Sequence, residues 1–117
     1  MKSNPTSHIR FWREELERIV SRLVENYQPD LIVLFGSFAR EEYSPESDLD
    51  LLIVKETDKR PLWRRVEVRK LIKTSLPVDI IVYTPQEFLA LQQAQSQFLQ
   101  SVLREGQILY ERKVFCK

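Results

Sequence analysis

One segment of the sequence is apolar at every position. It is Leu31–Phe35, which lies between Pro29 and Gly36. Its length is that of a strand, and the side chains of a strand point alternately to the two faces of a sheet. A strand without a polar position therefore predicts burial on both faces. This segment is expected to be an interior strand of a sheet that is covered on both sides.

Two patterns in the sequence indicate helices. Apolar residues recur every three or four positions between Ile9 and Tyr27, and Thr6 or Ser7 is the predicted cap of this helix. Residues 84–87, Thr-Pro-Gln-Glu, combine an N-cap threonine, a proline at the first helical position and a glutamate two positions later, which is a capping box. Further helical segments are predicted over residues 61–75, beyond a break within residues 92–97, and up to Gly106.

Three more strands are predicted, over residues 48–54, 78–83 and 108–110. The resulting order is helix, strand, strand, helix, strand, helix, helix, strand. This order predicts an α/β (α+β) sandwich, in which helices flank a small mixed sheet. With 117 residues, the chain is expected to form a single domain over residues 1–117.

The composition excludes several kinds of chemistry. The chain has one cysteine, Cys116, and one histidine, His8, so an internal disulfide, a zinc site and a Ser-His or Cys-His catalytic pair have almost nothing to build on. No apolar run approaches the about 20 residues that cross a bilayer, and the polar N-terminus does not resemble a signal peptide. We therefore expect a cytoplasmic protein without a membrane partner, whose chemistry depends on carboxylates, hydroxyls and basic residues.

Three aspartates lie in or next to predicted strands. Asp48 and Asp50 are two positions apart, so their side chains project from the same face of a strand. Asp79 falls inside an apolar strand, where a charge is costly unless it is paired or binds a cation. Converging carboxylates favour a hard divalent cation, Mg²⁺ or Mn²⁺. In the simpler alternative, Asp48 caps a loop and Asp79 lies at an exposed strand start.

A glycine-serine pair follows the first strand. Gly36 would let a phosphate approach the backbone closely, and the Ser37 hydroxyl could donate to a phosphate oxygen. If residues 38–40 begin a short helix, its first N–H groups point beyond the end of the strand. Arg40 is a candidate either for binding phosphate or for bracing the acidic loop that follows. The alternative is an ordinary turn between a strand and a helix.

The three segments together resemble the signature of the DNA polymerase beta-type nucleotidyltransferase superfamily. Gly36-Ser37 is followed by ten residues and then by Asp48-Leu49-Asp50, which is the spacing of that family, and Asp79 follows in a later strand. The resemblance implies a polymerase beta-like nucleotidyltransferase core. It also implies that Asp48 and Asp50 bridge two Mg²⁺ ions, while Asp79 ligates the catalytic metal and helps to activate the acceptor hydroxyl. The implied nucleotide-binding residues, with ATP as the substrate, are Gly36, Ser37 and Arg40.

The sequence departs from this pattern at one position. The family often has glycine after the arginine, whereas Glu41 follows Arg40 here. If the backbone at this position needs a positive φ, a glutamate strains it. Its carboxylate would also weaken the binding of a triphosphate.

The length of the chain and its residues 106–112, Gly-Gln-Ile-Leu-Tyr-Glu-Arg, resemble the minimal nucleotidyltransferases (MNT) of prokaryotes. The resemblance implies a HEPN-domain toxin, a ribonuclease, as the partner. The chain would then be its antitoxin, which transfers AMP from ATP to a tyrosine of the toxin.

Two alternatives stay open at this point. The domain could be a binding module that neutralises its partner by contact alone. It could also modify a small hydroxyl compound or an RNA end. Residues 55–73 contain eight basic and three acidic residues, and this excess could contact nucleic acid or could simply be a solvated helix face.

Overall fold

The computed structural model describes residues 5–42 and 48–112 of the chain, with side chains from residue 9 onward. Ser47 and Cys116 lie outside the described residues, as do the side chains of Thr6, Ser7 and His8. No helix in the described ranges is both long and apolar enough to cross a bilayer. The elements in chain order are α1 (Pro5–Asn26), β1 (Leu31–Phe35), α2 (Gly36–Ala39), β2 (Leu49–Val54), α3 (Pro61–Ile72), β3 (Val78–Tyr83), α4 (Pro85–Gln93), α5 (Gln97–Glu105) and β4 (Gln107–Glu111).

The four strands form one mixed sheet in the order β3-β2-β1-β4. β1 runs antiparallel to both of its neighbours, while β2 and β3 are parallel and are connected through α3. β1 is thus an interior strand, and its first four residues are at most 2% exposed. The prediction from its uninterrupted apolar sequence is confirmed.

Two hydrophobic cores lie on opposite faces of the sheet. Ile32 and Leu34 of β1 face the larger core, which contains the apolar side chains of α1 and α3. Leu31 and Val33 alternate with them and face the smaller core, which contains Phe88 and residues of α5. The sheet is therefore the middle layer between α1 with α3 and α4 with α5. This arrangement confirms the predicted sandwich.

Of the predicted helix boundaries, the capping box at Thr84 and the break before α5 are confirmed, whereas the start of α1 and the end of α3 differ. The Thr84 hydroxyl accepts a hydrogen bond from the Glu87 N–H, and the Glu87 carboxylate accepts one from the Thr84 N–H, so the capping box is confirmed. A new helix begins after the N-cap Ser96, as the predicted break requires. The cap predicted for α1 is wrong, because the helix already begins at Pro5. α3 ends earlier than predicted, since Lys73 adopts a left-handed conformation with φ of 44°.

Part of the basic segment has a structural role. Arg64 is 6% exposed, and its guanidinium donates to the Val82 carbonyl at 3.1 Å and to Glu87 Oε1 at 2.7 Å. The Arg69 guanidinium donates to the Val78 carbonyl at 2.7 Å. Arg64 and Arg69 therefore fasten α3 to β3, and neither belongs to a purely solvated face.

A polar cluster joins α1 to the connection between α3 and β3. The Glu15 carboxylate accepts hydrogen bonds from Arg18 and from the Thr74 hydroxyl, both at 2.7 Å. The Arg18 guanidinium also donates to the Ile72 carbonyl at 2.9 Å. The bonds from Arg18 and Thr74 lower the pKa of Glu15 from its ordinary value of 4.5 to about 2. The ionised form of Glu15 is therefore stabilised by folding.

The pH dependence of stability should reveal this cluster. Because the folded pKa of Glu15 lies below its unfolded value, its contribution is fully present above pH 4.5 and is lost as the pH falls towards 2. We expect Glu15→Gln to lower the Tm at pH 7 and the difference from the wild type to shrink as the pH falls through this range. Thermal unfolding followed by circular dichroism measures both. The exposed Glu17→Gln is the matched control on the same helix, and a Tm difference independent of pH would contradict the assignment.

Candidate active site

The turn after β1 brings the backbone of one element against a side chain of another. Gly36 has φ of +76° and begins α2. A Cβ atom at this position would lie 2.1 Å from Oδ2 of Asp50. The antiparallel register explains the contact, since Phe35 is the partner of Asp50 across β1 and β2. Glycine is thus required for its conformation and for its lack of a side chain, and the group that approaches it here is a carboxylate of the chain itself.

The register of the sheet also places two predicted site residues side by side. β2 and β3 are parallel, and Asp50 is the direct partner of Asp79. Asp48 precedes the first residue of β2 and is exposed, whereas Asp50 is half-buried. Burial, and then the charges of Asp79 and Asp48, raise the pKa of Asp50, and the charge of Arg40 opposes this. Three carboxylates and one guanidinium therefore share one electrostatic environment.

The structure corrects one argument from the sequence. Asp79 was expected to be a buried charge inside an apolar strand, but it is exposed. β3 is an edge strand of the sheet, and its residues Val78, Ile80 and Val82 face the core while Asp79 faces away from it. The cost of burial therefore does not argue for a bound cation at this residue. The position of Asp79 next to Asp50 does argue for a bound cation, because two adjacent carboxylates repel each other.

The donor set has the chemistry of a site for a hard divalent cation. Asp48, Asp50 and Asp79 offer only oxygen ligands, which Mg²⁺ and Mn²⁺ prefer. Burial, and then the charges of Asp79 and Asp48, raise the pKa of Asp50, and a bound cation would relieve the repulsion between these carboxylates. In residues 5–42 and 48–112, no three acidic, histidine or cysteine side chains are grouped closely enough to hold a metal ion as they stand. The role of the three aspartates as metal ligands stays a prediction.

A strained residue, Glu41, follows the short helix α2 and its C-cap Arg40. Glu41 has φ of 61°, so the position after Arg40 does adopt the positive φ that the sequence raised as a condition for strain. The Glu42 N–H donates to the Ser37 carbonyl at 2.9 Å, and the Glu41 N–H donates to the Phe38 carbonyl at 3.2 Å. This pair of bonds is a Schellman motif, whose left-handed position is usually glycine. A glutamate therefore occupies a position that favours glycine.

The helix itself is anchored by its apolar residues. Phe38 is 4% exposed, and its ring stacks on the ring of Trp12 with centroids 5.7 Å apart. Ala39 is also buried. The predicted site residues Gly36 and Ser37 thus lie at the start of a single helical turn that is held against the larger core.

Arg40 is engaged with carboxylates in this structure. Its Nε donates to Glu42 Oε2 at 3.2 Å, and its Nη1 lies 3.5 Å from Glu105 Oε2. The contact with Glu42 agrees with the predicted alternative that Arg40 braces the acidic loop. All three side chains are at least 40% exposed, and exposed ion pairs contribute only about 0–1 kcal/mol. A triphosphate could therefore displace these carboxylates from Arg40 at little cost.

Two further residues contact this region, and neither is predicted from the sequence. Gln107 Nε2 donates to the Ala39 carbonyl at 2.9 Å, and Glu105 reaches Arg40 from the end of α5. Both lie within or next to the residues 106–112 that resemble the minimal nucleotidyltransferases. That resemblance was the available signal, but it assigned no role to either residue.

The chain is similar to proteins of known family. Residues 17–114 match the family described as "Polymerase beta, Nucleotidyltransferase". A protein of Methanocaldococcus jannaschii that bears the name of a protein adenylyltransferase, MJ0604, is 32% identical over 97 residues. The match covers 81% of this chain and 94% of the relative.

Solved structures share the fold. A Sulfolobus solfataricus protein named as a nucleotidyltransferase has a TM-score of 0.64 at 20% identity, and the match covers 98% of this chain and 97% of that one. A toxin–antitoxin structure with AMP-PNP gives 0.56 at 21% identity, with 81% and 72% covered. A mutant of the toxin–antitoxin MntA-HpeT gives 0.55 at 24% identity, with 81% and 71% covered.

The contact between Gly36 and Asp50 can be tested by adding one methyl group. In Gly36→Ala the new Cβ would meet Oδ2 at the end of the Asp50 side chain, so we expect the carboxylate to move away. A positive φ for alanine costs about 1–2 kcal/mol, which lowers the Tm moderately. Binding of ATP in the presence of Mg²⁺, measured by calorimetric titration, should weaken by about tenfold or more, which is about 1.4 kcal/mol or more. A variant that binds ATP as the wild type does would contradict the arrangement.

The strain at Glu41 predicts a stabilising substitution. Glu41→Gly should raise the free energy of unfolding by about 1 kcal/mol, because glycine adopts a positive φ without the steric cost. Denaturant unfolding measures the change. Glu41→Gln removes the charge but keeps the Cβ, so it should give no such gain. Equal stabilisation by both variants would show that charge and not backbone strain is responsible.

Proposed function

The chain belongs to the polymerase beta nucleotidyltransferase family, and from this premise we propose that it transfers AMP from ATP to a hydroxyl group of a partner protein. The observation that carries the proposal is the position of Asp50, which lies against Gly36 and beside Asp79. A turn for the triphosphate and a carboxylate cluster thus meet at one end of the sheet. The relative that bears the name of a protein adenylyltransferase supports a protein as the acceptor.

In this proposal each residue of the site has a separate task. Asp48, Asp50 and Asp79 hold two Mg²⁺ ions, which when bound would neutralise charge on the attacking and leaving oxygens. The backbone at Gly36, the Ser37 hydroxyl and the Arg40 guanidinium hold the triphosphate of ATP.

The acceptor hydroxyl oxygen attacks the α-phosphorus, the bond from that phosphorus to the bridging oxygen breaks, and pyrophosphate leaves. Asp79 is the proposed recipient of the hydroxyl proton. Its exposure on the edge strand supports this role, because a group on another protein can reach it. The half-buried Asp50 is less accessible to such a group.

We further propose that the acceptor is a tyrosine of a HEPN-domain toxin and that the chain acts as its antitoxin in the cytoplasm, where ATP is available. Two structural neighbours are toxin–antitoxin assemblies, which supports a toxin as the partner.

The surface near the site could contact such a protein. Phe98 is 43% exposed, and its ring packs edge-on against Phe35, the register partner of Asp50.

The proposed reaction can be tested with two labels. The purified chain is incubated with Mg²⁺, ATP and the protein encoded beside it, once with the label at the α-phosphate and once at the γ-phosphate. We expect label on a tyrosine of the neighbour only from α-labelled ATP. The variant Asp48→Asn/Asp50→Asn should reduce the rate by about a hundredfold or more, and addition of EDTA should abolish transfer. Asp58→Asn, in the exposed loop before α3, is the matched control that should keep the wild-type rate.

The other outcomes separate the alternatives. Label transferred from the γ-phosphate would mean phosphoryl transfer and would overturn the reaction class. Tight binding of the two proteins without transfer, and neutralisation that survives Asp48→Asn/Asp50→Asn, would make the chain a contact inhibitor. Label on added RNA or on a small hydroxyl compound, but not on the neighbour, would change the acceptor and leave the chemistry intact.

A further inference from the structure

The junction between α5 and β4 is pressed against the central strand. Gly106 has φ of −77°, so its backbone conformation suits any residue. A Cβ atom there would nevertheless lie 2.4 Å from the Val102 carbonyl oxygen, 2.8 Å from Val33 Cγ1 and 2.9 Å from the Leu34 carbonyl oxygen. Gly106 is therefore required for close packing. We refer to residues 105–107 as the α5–β4 junction.

This junction touches the end of α2 at two points. The Gln107 side-chain amide donates to the Ala39 carbonyl at 2.9 Å across 68 residues of sequence. The Glu105 carboxylate lies 3.5 Å from the Arg40 guanidinium. The contacts are on neighbouring residues of α2 and its C-cap, so the junction holds the helical turn from its C-terminal side.

The hydrogen bond from Gln107 reaches the carbonyl of the last residue of α2. The last carbonyls of a helix have no intrahelical donor, and α2 has only four residues. Ala39 is 7% exposed, so water has little access to this region. The side chain of Gln107 starts from β4, whose register with β1 places Gln107 opposite Leu34. The pairing of β4 with β1 therefore positions the Gln107 amide, which in turn holds α2.

We propose that Gln107 is a positioning residue for the nucleotide, because it holds α2 in the orientation in which Gly36, Ser37 and Arg40 meet the triphosphate. This inference rests on the proposed function only in taking this turn as the triphosphate site. It gives a role to the start of the 106–112 segment, in which Gly106 allows the close approach and Gln107 makes the bond. Its expected effect is on the binding of ATP, because its side chain bonds to the backbone of α2.

The other end of β4 offers a matched control. The Arg112 guanidinium donates from Nε to Asp30 Oδ1 at 3.1 Å, and Asp30 is 1% exposed. Gln107, the first residue of β4, and Arg112, which directly follows the strand, thus tie its two ends to different parts of the chain. A variant at Arg112 weakens the attachment of β4 without a contact to α2, so it separates a general loss of stability from a loss of positioning.

The test uses two measurements on each variant. One is the Kd for ATP in the presence of Mg²⁺, from calorimetric titration, and the other is the pair KM and kcat for AMP transfer. Gln107→Met keeps the length of the side chain and removes the donor. We expect its Kd and KM to rise by about five- to tenfold, the value of about one hydrogen bond, with kcat within about twofold. Gln107→Lys restores a donor that can reach the carbonyl and should recover most of the affinity. Arg112→Lys should lower the Tm and leave Kd unchanged.

Each outcome decides the proposal. Equal increases of Kd in Gln107→Met and Arg112→Lys, measured well below the Tm of each, would show a merely structural role and overturn it. An unchanged Kd in Gln107→Met would overturn it as well. If the wild type binds ATP but transfers no AMP to any acceptor, the proposed function fails while the Kd comparison still decides the role of Gln107. If the wild type binds no ATP, both fail.

Discussion

The register of β2 between its two neighbours is the constraint on which the site depends. The antiparallel pairing with β1 puts Asp50 opposite Phe35 and against Gly36, and the parallel pairing with β3 puts it beside Asp79. A shift by one residue would turn every side chain of β2 to the other face. Because Leu51 and Leu52 are fully buried on opposite faces, such a shift would exchange the contents of both cores. Packing of the strand thus also aligns the carboxylates.

Two unfavourable features lie at this end of the sheet. Glu41 has a positive φ, as do Gln28, Lys73 and Gln95 elsewhere in the chain, and burial and then the charges of Asp79 and Asp48 raise the pKa of Asp50. The contact between α3 and α4 is matched instead, through the bonds from Arg64 to Glu87. Strain and uncompensated charge that persist in a well-packed fold are typical of functional sites, because the surrounding structure must hold them. The strain at Glu41 and the crowding of carboxylates around Asp50 agree with the assignment of the site.

The sequence predicted features that depend on local rules. The apolar run of β1, the capping box at Thr84 and the strained position of Glu41 each follow from a few neighbouring residues. It failed where the outcome depends on which strand lies beside which. Asp79 was expected to be buried because Val78 and Ile80 flank it, but only the sheet order shows that β3 is an edge strand. The roles of Arg64 and Gln107 were missed for the same reason, since their partners are distant in the chain.

The hydrogen bond between Gln107 and Ala39 has a consequence for the order of folding. The strands β1 and β2 are close in sequence and can pair early, whereas β4 must close a loop of most of the chain before it reaches β1. The turn that begins at Gly36 is therefore completed by one of the last contacts to form. Edge strands are also among the first elements to open in local fluctuations. Transient detachment of β4 would therefore loosen this turn without opening the pairing of β1 with β2.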